Sequence, residues 1–280
     1  MSRDNSSRVS APNLDLAPPK KEPDSFNFTL PTVFVDLPSK GRYYEEEHPL
    51  HNVESVEIKY MTAKEEDILS SISLLQKGVA IERMLQSLLV DKTINPSEML
   101  IGDKNALMVA ARITGFGEEY LVSVMCPECN TKSEHSFDLS KSKNTSVDDL
   151  NRDSIEHTDH NTFMLELPVS KVRVEVRLLD GKDEKYLTKL NTSKRDNNLP
   201  ETSLTDRLKI IIASINGSTL RGDIEKFVER MPVMDSRFLR ALYGKIVPNV
   251  DLTQEFSCSH CNHRVAMEVP LTSDFFWPRL

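Results

Sequence analysis

The chain has 280 residues, 39% of them hydrophobic and 28% charged, with a formal net charge of −8. That length holds one large domain or two small ones, and the composition is that of a soluble globular protein. The acidic balance argues against a duplex-binding surface, no apolar run approaches the ~20 residues that span a bilayer, and the polar N-terminus has no apolar core of a signal peptide.

Residues 1–27 are rich in Ser, Pro, Asp and Lys, include Pro18-Pro19, and show no apolar period. They read as a disordered or partner-ordered tail. The fold is expected to begin near Phe28, with a β-prone run at 30–37, a turn at 38–44 ending in two aromatics, and a strand over 53–60. Thr62-Ala63-Lys64-Glu65 is a capping box that opens a helix carrying Ile68, Leu69, Ile72 and Leu75 inward and stopping at Gly78. A second helix covers roughly 80–90, and a third follows a Gly102-Asp103 cap to Gly115.

All four cysteines of the chain fall in two short stretches, Cys126-Pro127-Glu128-Cys129 and Cys258-Ser259-His260-Cys261. Each pair sits between strand-like runs and is followed by an asparagine, Asn130 or Asn262. Asparagine is the non-glycine residue that best tolerates a left-handed backbone, so its recurrence implies one knuckle geometry used twice. In a reducing cytoplasm, paired Cys-x-x-Cys motifs favour metal over disulfide. Two knuckles supply four thiolates, Cys126, Cys129, Cys258 and Cys261, enough to close a structural zinc site, one ion per chain, with no open position for chemistry. Alternatives are buried small apolar cysteines, redox pairs and an iron–sulfur cluster. The redox reading is weakened because such a pair opens a helix, whereas these follow strands. His135, His260 and His263 lie near in sequence and read as surface or supporting residues.

Residues 141–161 form an acidic linker. The run 171–178 alternates cleanly, with Val172, Val174, Val176 and Leu178 on one face, and 162–167 is expected to pair with it as a hairpin. A helix is expected over 203–216 from Leu204, Leu208, Ile211, Ile212 and Ile215, closed by Gly217; another covers 222–231; and Asp235 is read as the cap of a helix over 236–246. The fold class is therefore α+β: a small β-sheet bearing a split four-cysteine, zinc-ribbon-like site, with helical segments. The main domain comprises 28–140 and 248–280, and a β-hairpin plus helical insertion, 162–247, lies between the knuckles.

No catalytic constellation is visible: there is no phosphate-cradling glycine loop, no His-Glu-x-x-His and no Gly-x-Ser-x-Gly elbow, so no catalytic residue is assigned. Glu45-Glu46-Glu47 and Glu65-Glu66-Asp67 read as a solvated loop and a favourable first helical turn. The segment Phe275-Phe276-Trp277-Pro278-Arg279-Leu280 carries the single tryptophan. It reads either as a lid over the sheet or as an interface anchor.

The ordered runs Leu37-Pro38-Ser39-Lys40-Gly41-Arg42-Tyr43-Tyr44, His48-Pro49-Leu50 and Met61 through Leu69 resemble the baseplate hub proteins of T-even-type contractile-tailed bacteriophages. Gly102-Asp103 ahead of Ala111-Arg112, the Cys-Pro-Glu-Cys knuckle, Met231-Pro232 with Asp235-Ser236, and Phe275 to Pro278 after the second knuckle share that resemblance, which covers roughly 30–280. It implies a virion structural or tail-assembly protein of the baseplate hub, made in the infected host cytoplasm and acting through contacts with other hub and tail proteins, without catalysis. It allows a homo-oligomer within a symmetric hub and implies no nucleic-acid or membrane partner. Two rival readings are a zinc-ribbon adaptor binding nucleic acid and a hub-assembly factor absent from the finished virion.

Overall fold

The computed structural model describes residues 29–145, 155–158, 160–272 and 275–277. The tail at 1–27 and the middle of the acidic linker, 146–154, lie outside the described residues. Pro31–Leu280 forms one compact unit.

The chain enters through β1 (Thr32–Asp36), which pairs antiparallel with β2 (Ser55–Lys59) and buries Val35 against Val56 and Ile58. Between them the chain turns tightly at Lys40 and Gly41, whose φ values are 51° and 70°. A Cβ at Gly41 would lie 2.3 Å from the Val53 nitrogen, so the turn packs too closely for any side chain there.

The capping box is present. The Thr62 side chain accepts from the backbone of α1 (Ala63–Ser70) while Glu65 reaches back to the Thr62 amide. The helix stops at Ser71, whose backbone is extended, and restarts as α2 (Ile72–Gln76). That break shifts the helical phase, so Leu69 is buried whereas Ile72 and Leu75 are 72% and 42% exposed; the expected stripe ends at Leu69. Next, α3 (Ala80–Leu88) buries Met84, Leu85 and Leu88, and α4 (Ile101–Phe116) buries Leu107, Val109 and Ala111.

Asp103 was expected to cap α4 and does not. The N-cap position belongs to Leu100, and the Asp103 carboxylate is fully buried, taking the Ser39 amide at 2.9 Å, the Ser39 hydroxyl at 2.6 Å and the Tyr44 hydroxyl at 2.7 Å. A helix start leaves its amides free to find other partners, and here long-range donors win the carboxylate. Gly102 beside it is a contact glycine: a Cβ there would stand 1.8 Å from the Pro248 carbonyl oxygen.

Two separate two-stranded hairpins follow at a distance in sequence rather than one sheet. β3 (Glu119–Met125) pairs with β4 (Lys132–Asp138), and β11 (Thr253–Ser257) pairs with β12 (Arg264–Glu268). The start of the acidic linker forms β5 (Lys143–Thr145), which pairs with β10 (Asn249–Asp251), the strand just ahead of β11.

Between the hairpins lies a four-stranded sheet in the order β6-β7-β8-β9, made of β6 (Glu156–His157), β7 (Thr162–Glu166), β8 (Arg173–Arg177) and β9 (Ile212–Ile215). The 162–167/171–178 hairpin is as expected, with Lys171 supplying the positive φ of its turn. The helix expected over 203–216 is two elements, α6 (Ser203–Ile211) and β9. Its β-branched isoleucines satisfy both periods, and pairing with β8 decides: Ile212 and Ser214 turn inward, and the Ser214 hydroxyl donates to Glu175 at 2.7 Å. The remaining helices are α5 (Gly181–Asp196), α7 (Arg221–Arg230) and α8 (Val233–Ile246).

Asp235 is the second aspartate that does not cap. The helix begins before it, with Pro232 as N-cap, and its buried carboxylate accepts the amides of Val169 at 2.8 Å and Ser170 at 2.9 Å, fixing the β7–β8 turn on α8. Those amides hold the carboxyl below its usual range despite burial. The sheet and α5 meet the α4 region through backbone: the Ile101 amide donates to Leu179 at 3.2 Å and the Gly181 amide to Met99 at 3.1 Å. Phe275 and Phe276 are buried, Phe275 edge-on to Tyr120 of β3 at 5.2 Å as a cover on that hairpin requires, and the Trp277 indole donates to the Leu69 carbonyl at the end of α1 at 3.1 Å.

Candidate metal centre

Both knuckles have the same backbone. In the first, the Cys126 amide donates to the Thr131 carbonyl at 3.0 Å and the Asn130 amide returns to the Cys126 carbonyl at 2.9 Å; in the second, the Cys258 amide donates to His263 at 2.9 Å and the Asn262 amide to Cys258 at 3.0 Å. Asn130 and Asn262 sit at φ 52° and 55°, the left-handed conformation expected of them. Each knuckle closes one antiparallel hairpin, the first linking Met125 and Lys132 and the second Ser257 and Arg264.

The hairpins are held side by side by Gln254, which no motif marks, and by the His135 ring. The Gln254 side-chain amide bonds both ways to the backbone of Asp138, accepting from its amide at 3.1 Å and donating to its carbonyl at 2.7 Å, as a neighbouring strand would. The His135 ring lies edge-on to Phe137 at 4.6 Å and to the buried Phe256 at 5.2 Å. His135 thus serves as an aromatic spacer between the hairpins. His260 is exposed, and His263 contributes its backbone carbonyl.

That arrangement brings the four cysteines together across 129 positions of sequence. The Cys126 and Cys261 sulfurs are 3.7 Å apart, as are those of Cys129 and Cys258, and all four lie within 4.8 Å of one another. A tetrahedral ion with metal–sulfur bonds of about 2.3 Å sets its sulfurs about 3.8 Å apart, while a disulfide needs about 2.05 Å. The spacing therefore fits a single tetrahedral ion. It is too tight for thiolates arranged around several irons.

Charge gives a second test of fit. The Thr131 hydroxyl and amide pull the Cys129 thiol down to about 6, and the amides of Cys261 and His260 lower that of Cys258. At Cys261 the His263 amide favours the thiolate, yet burial and the three neighbouring sulfurs push it up to about 12. Four like charges so close oppose one another, and a divalent cation among them removes that opposition and takes all four deprotonated. Among the described residues these cysteines are the one group of three or more metal-ligating side chains close enough to share an ion.

The fold and this centre define a class: a mixed helix and small-sheet protein whose four cysteines, close enough to hold a metal ion, come from two hairpins far apart in sequence. The family model for the T4 bacteriophage base plate protein matches residues 31–277, and the chain belongs to that family. Membership makes it a phage base plate protein, as the ordered motifs implied. Searches of curated proteins and of solved structures return no match. Among the described residues no helix is long and apolar enough to cross a membrane.

Proposed function

We propose that the chain is a structural or assembly component of the baseplate hub of a contractile phage tail, acting by protein–protein contacts and stapled by one structural zinc held by Cys126, Cys129, Cys258 and Cys261. The observation that carries the metal part is the spacing of the four sulfurs, which suits one tetrahedral ion. All four thiolates are consumed as ligands, so the ion has no open coordination position and the centre is a clasp without chemistry of its own. What it clasps is the two ends of a long excursion, roughly 162–247, that carries its own sheet and four helices. Membership of the base plate family supports contacts with other base plate and tail proteins as the function and a non-enzymatic role.

Purified particles and assembly intermediates test the reading. Under it, the chain co-sediments with hub proteins and is recovered from infected cells bound to them. Presence in intermediates but not in finished particles selects the assembly-factor version. Salt-dependent binding to DNA or RNA with no hub protein associated selects the nucleic-acid adaptor, against which the net charge of −8 already weighs.

A further inference from the structure

The hairpin turn and the first turn of α8 together make a surface that the metal clasp does not explain. Val233 and Met234 are 73% and 63% exposed, Phe238 is 36% exposed, and Val169 in the β7–β8 turn is 56% exposed. Asp235 binds these pieces into one: its buried carboxylate takes the two turn amides, so Val169 is held against the start of α8. Along the helix, Met234 and Phe238 are four positions apart and form one ridge, and Val233 and Arg237 form the next. Apolar side chains this exposed and this firmly positioned mark an interaction surface.

The helical flanks are mainly cationic, and on the hairpin the exposed Glu166 is paired with Lys171 at 3.7 Å. Arg237 and Arg240 follow the apolar turn on α8, and Arg230 ends α7 immediately before it. Among the described residues no carboxylate lies within ion-pair distance of Arg230 or Arg237; the neighbouring Glu229 is held by Lys209 at 2.9 Å and feels the charge of Arg230 more weakly. Arg240 donates to the Ser236 carbonyl of its own helix. Asp235, the acid of this turn, spends its oxygens inward. On a chain of net charge −8 this end is locally cationic around an apolar centre.

We propose that this face docks an acidic amphipathic segment of a different base plate protein, whose apolar side chains cover Val169, Val233, Met234 and Phe238 while its carboxylates meet Arg230 and Arg237. The inference rests on the base plate reading and adds the partner's chemistry to it. A second copy of this chain is disfavoured because a two-fold contact would bring two copies of the same cationic patch together. The apolar centre disfavours a phosphate backbone, which is met by cations and polar groups rather than by a hydrophobic ridge.

A photo-cross-linking residue at position 234 of the full chain, produced during infection, tests this, with position 121 on β3 as an exposed apolar control. The expected result is a cross-link from 234 to a peptide of another base plate protein that combines apolar residues with Asp or Glu. Arg237→Glu should cut its yield at least tenfold, and position 121 should not reach that peptide. A cross-link to another copy of the chain, to lipid or to nucleic acid overturns the proposal, as does no cross-link, or a yield that the charge reversal leaves unchanged. Sedimentation of the labelled protein separates the two claims: if it travels with tail structures yet fails to cross-link from 234, only the docking face is wrong. If it never joins them, the base plate reading fails with it.

Discussion

Replacing Asp103 by alanine removes one carboxylate and leaves three donors facing it, the Ser39 amide, the Ser39 hydroxyl and the Tyr44 hydroxyl. The hydroxyls keep part of their bonding, since Ser39 still accepts from the Gly41 amide at 3.0 Å and Tyr44 from the Leu100 amide at 2.9 Å. The Ser39 amide has no such outlet. An orphaned buried donor costs about 1–3 kcal/mol and a lost bond to a charged group a similar amount, so the total is ~3–5 kcal/mol, a large share of a typical domain's stability. Asp103→Asn keeps the volume and one acceptor and should cost roughly half as much. Urea unfolding followed through the single tryptophan, Trp277, reads both against Asp67→Ala, an exposed helical aspartate expected within about 0.5 kcal/mol of the parent. Burial holds the Asp103 carboxyl above its ordinary value of 3.8. The folded state therefore binds the proton more tightly than the unfolded chain, and stability from this group is lost as the pH rises above about 4. The parent's advantage over Asp103→Asn should accordingly shrink with rising pH. An alanine variant within about 1 kcal/mol of the parent, or an advantage that grows with pH, would mean that the Asp103 carboxylate does not hold the Ser39–Tyr44 turn in this way.

Gly102→Ala places a methyl 1.8 Å from the Pro248 carbonyl oxygen and forces α4 away from the chain entering β10, at a cost of several kcal/mol, about 3 or more, visible as a lowered melting temperature. Asn262→Ala puts an ordinary side chain at φ 55° and should cost ~1 kcal/mol, whereas Asn262→Gly should be nearly neutral; equal losses in thermal unfolding would show that the asparagine side chain and not its backbone matters.

Much of this was legible where one local rule had no competitor. The paired asparagines announced two left-handed turns, the Thr62–Glu65 box announced a helix start, and the alternation of Val172, Val174, Val176 and Leu178 announced a strand, because each signal is satisfied within a few residues. The readings that failed were those where a distant partner outbid a local one. Asp103 and Asp235 have the composition of helix caps, yet both carboxylates are drawn to donors far along the chain, and no spacing rule shows that. Ile212 and Ile215 fit a helix until β8 offers its edge. At the centre itself the four cysteines that come together were legible from their spacing, while Gln254, Phe256 and Thr131, which align the hairpins and tune a thiol, carry no pattern that would distinguish them.

Elemental analysis of the purified full chain, joined to chelation, tests the clasp most directly. A clasp requires about one zinc per chain, loss of cooperative unfolding when a strong chelator removes it, and the same loss in Cys258→Ser but not in Glu128→Ala, an exposed knuckle residue outside the four cysteines. A metal-free native protein that unfolds cooperatively, or two variants of equal effect, would contradict it.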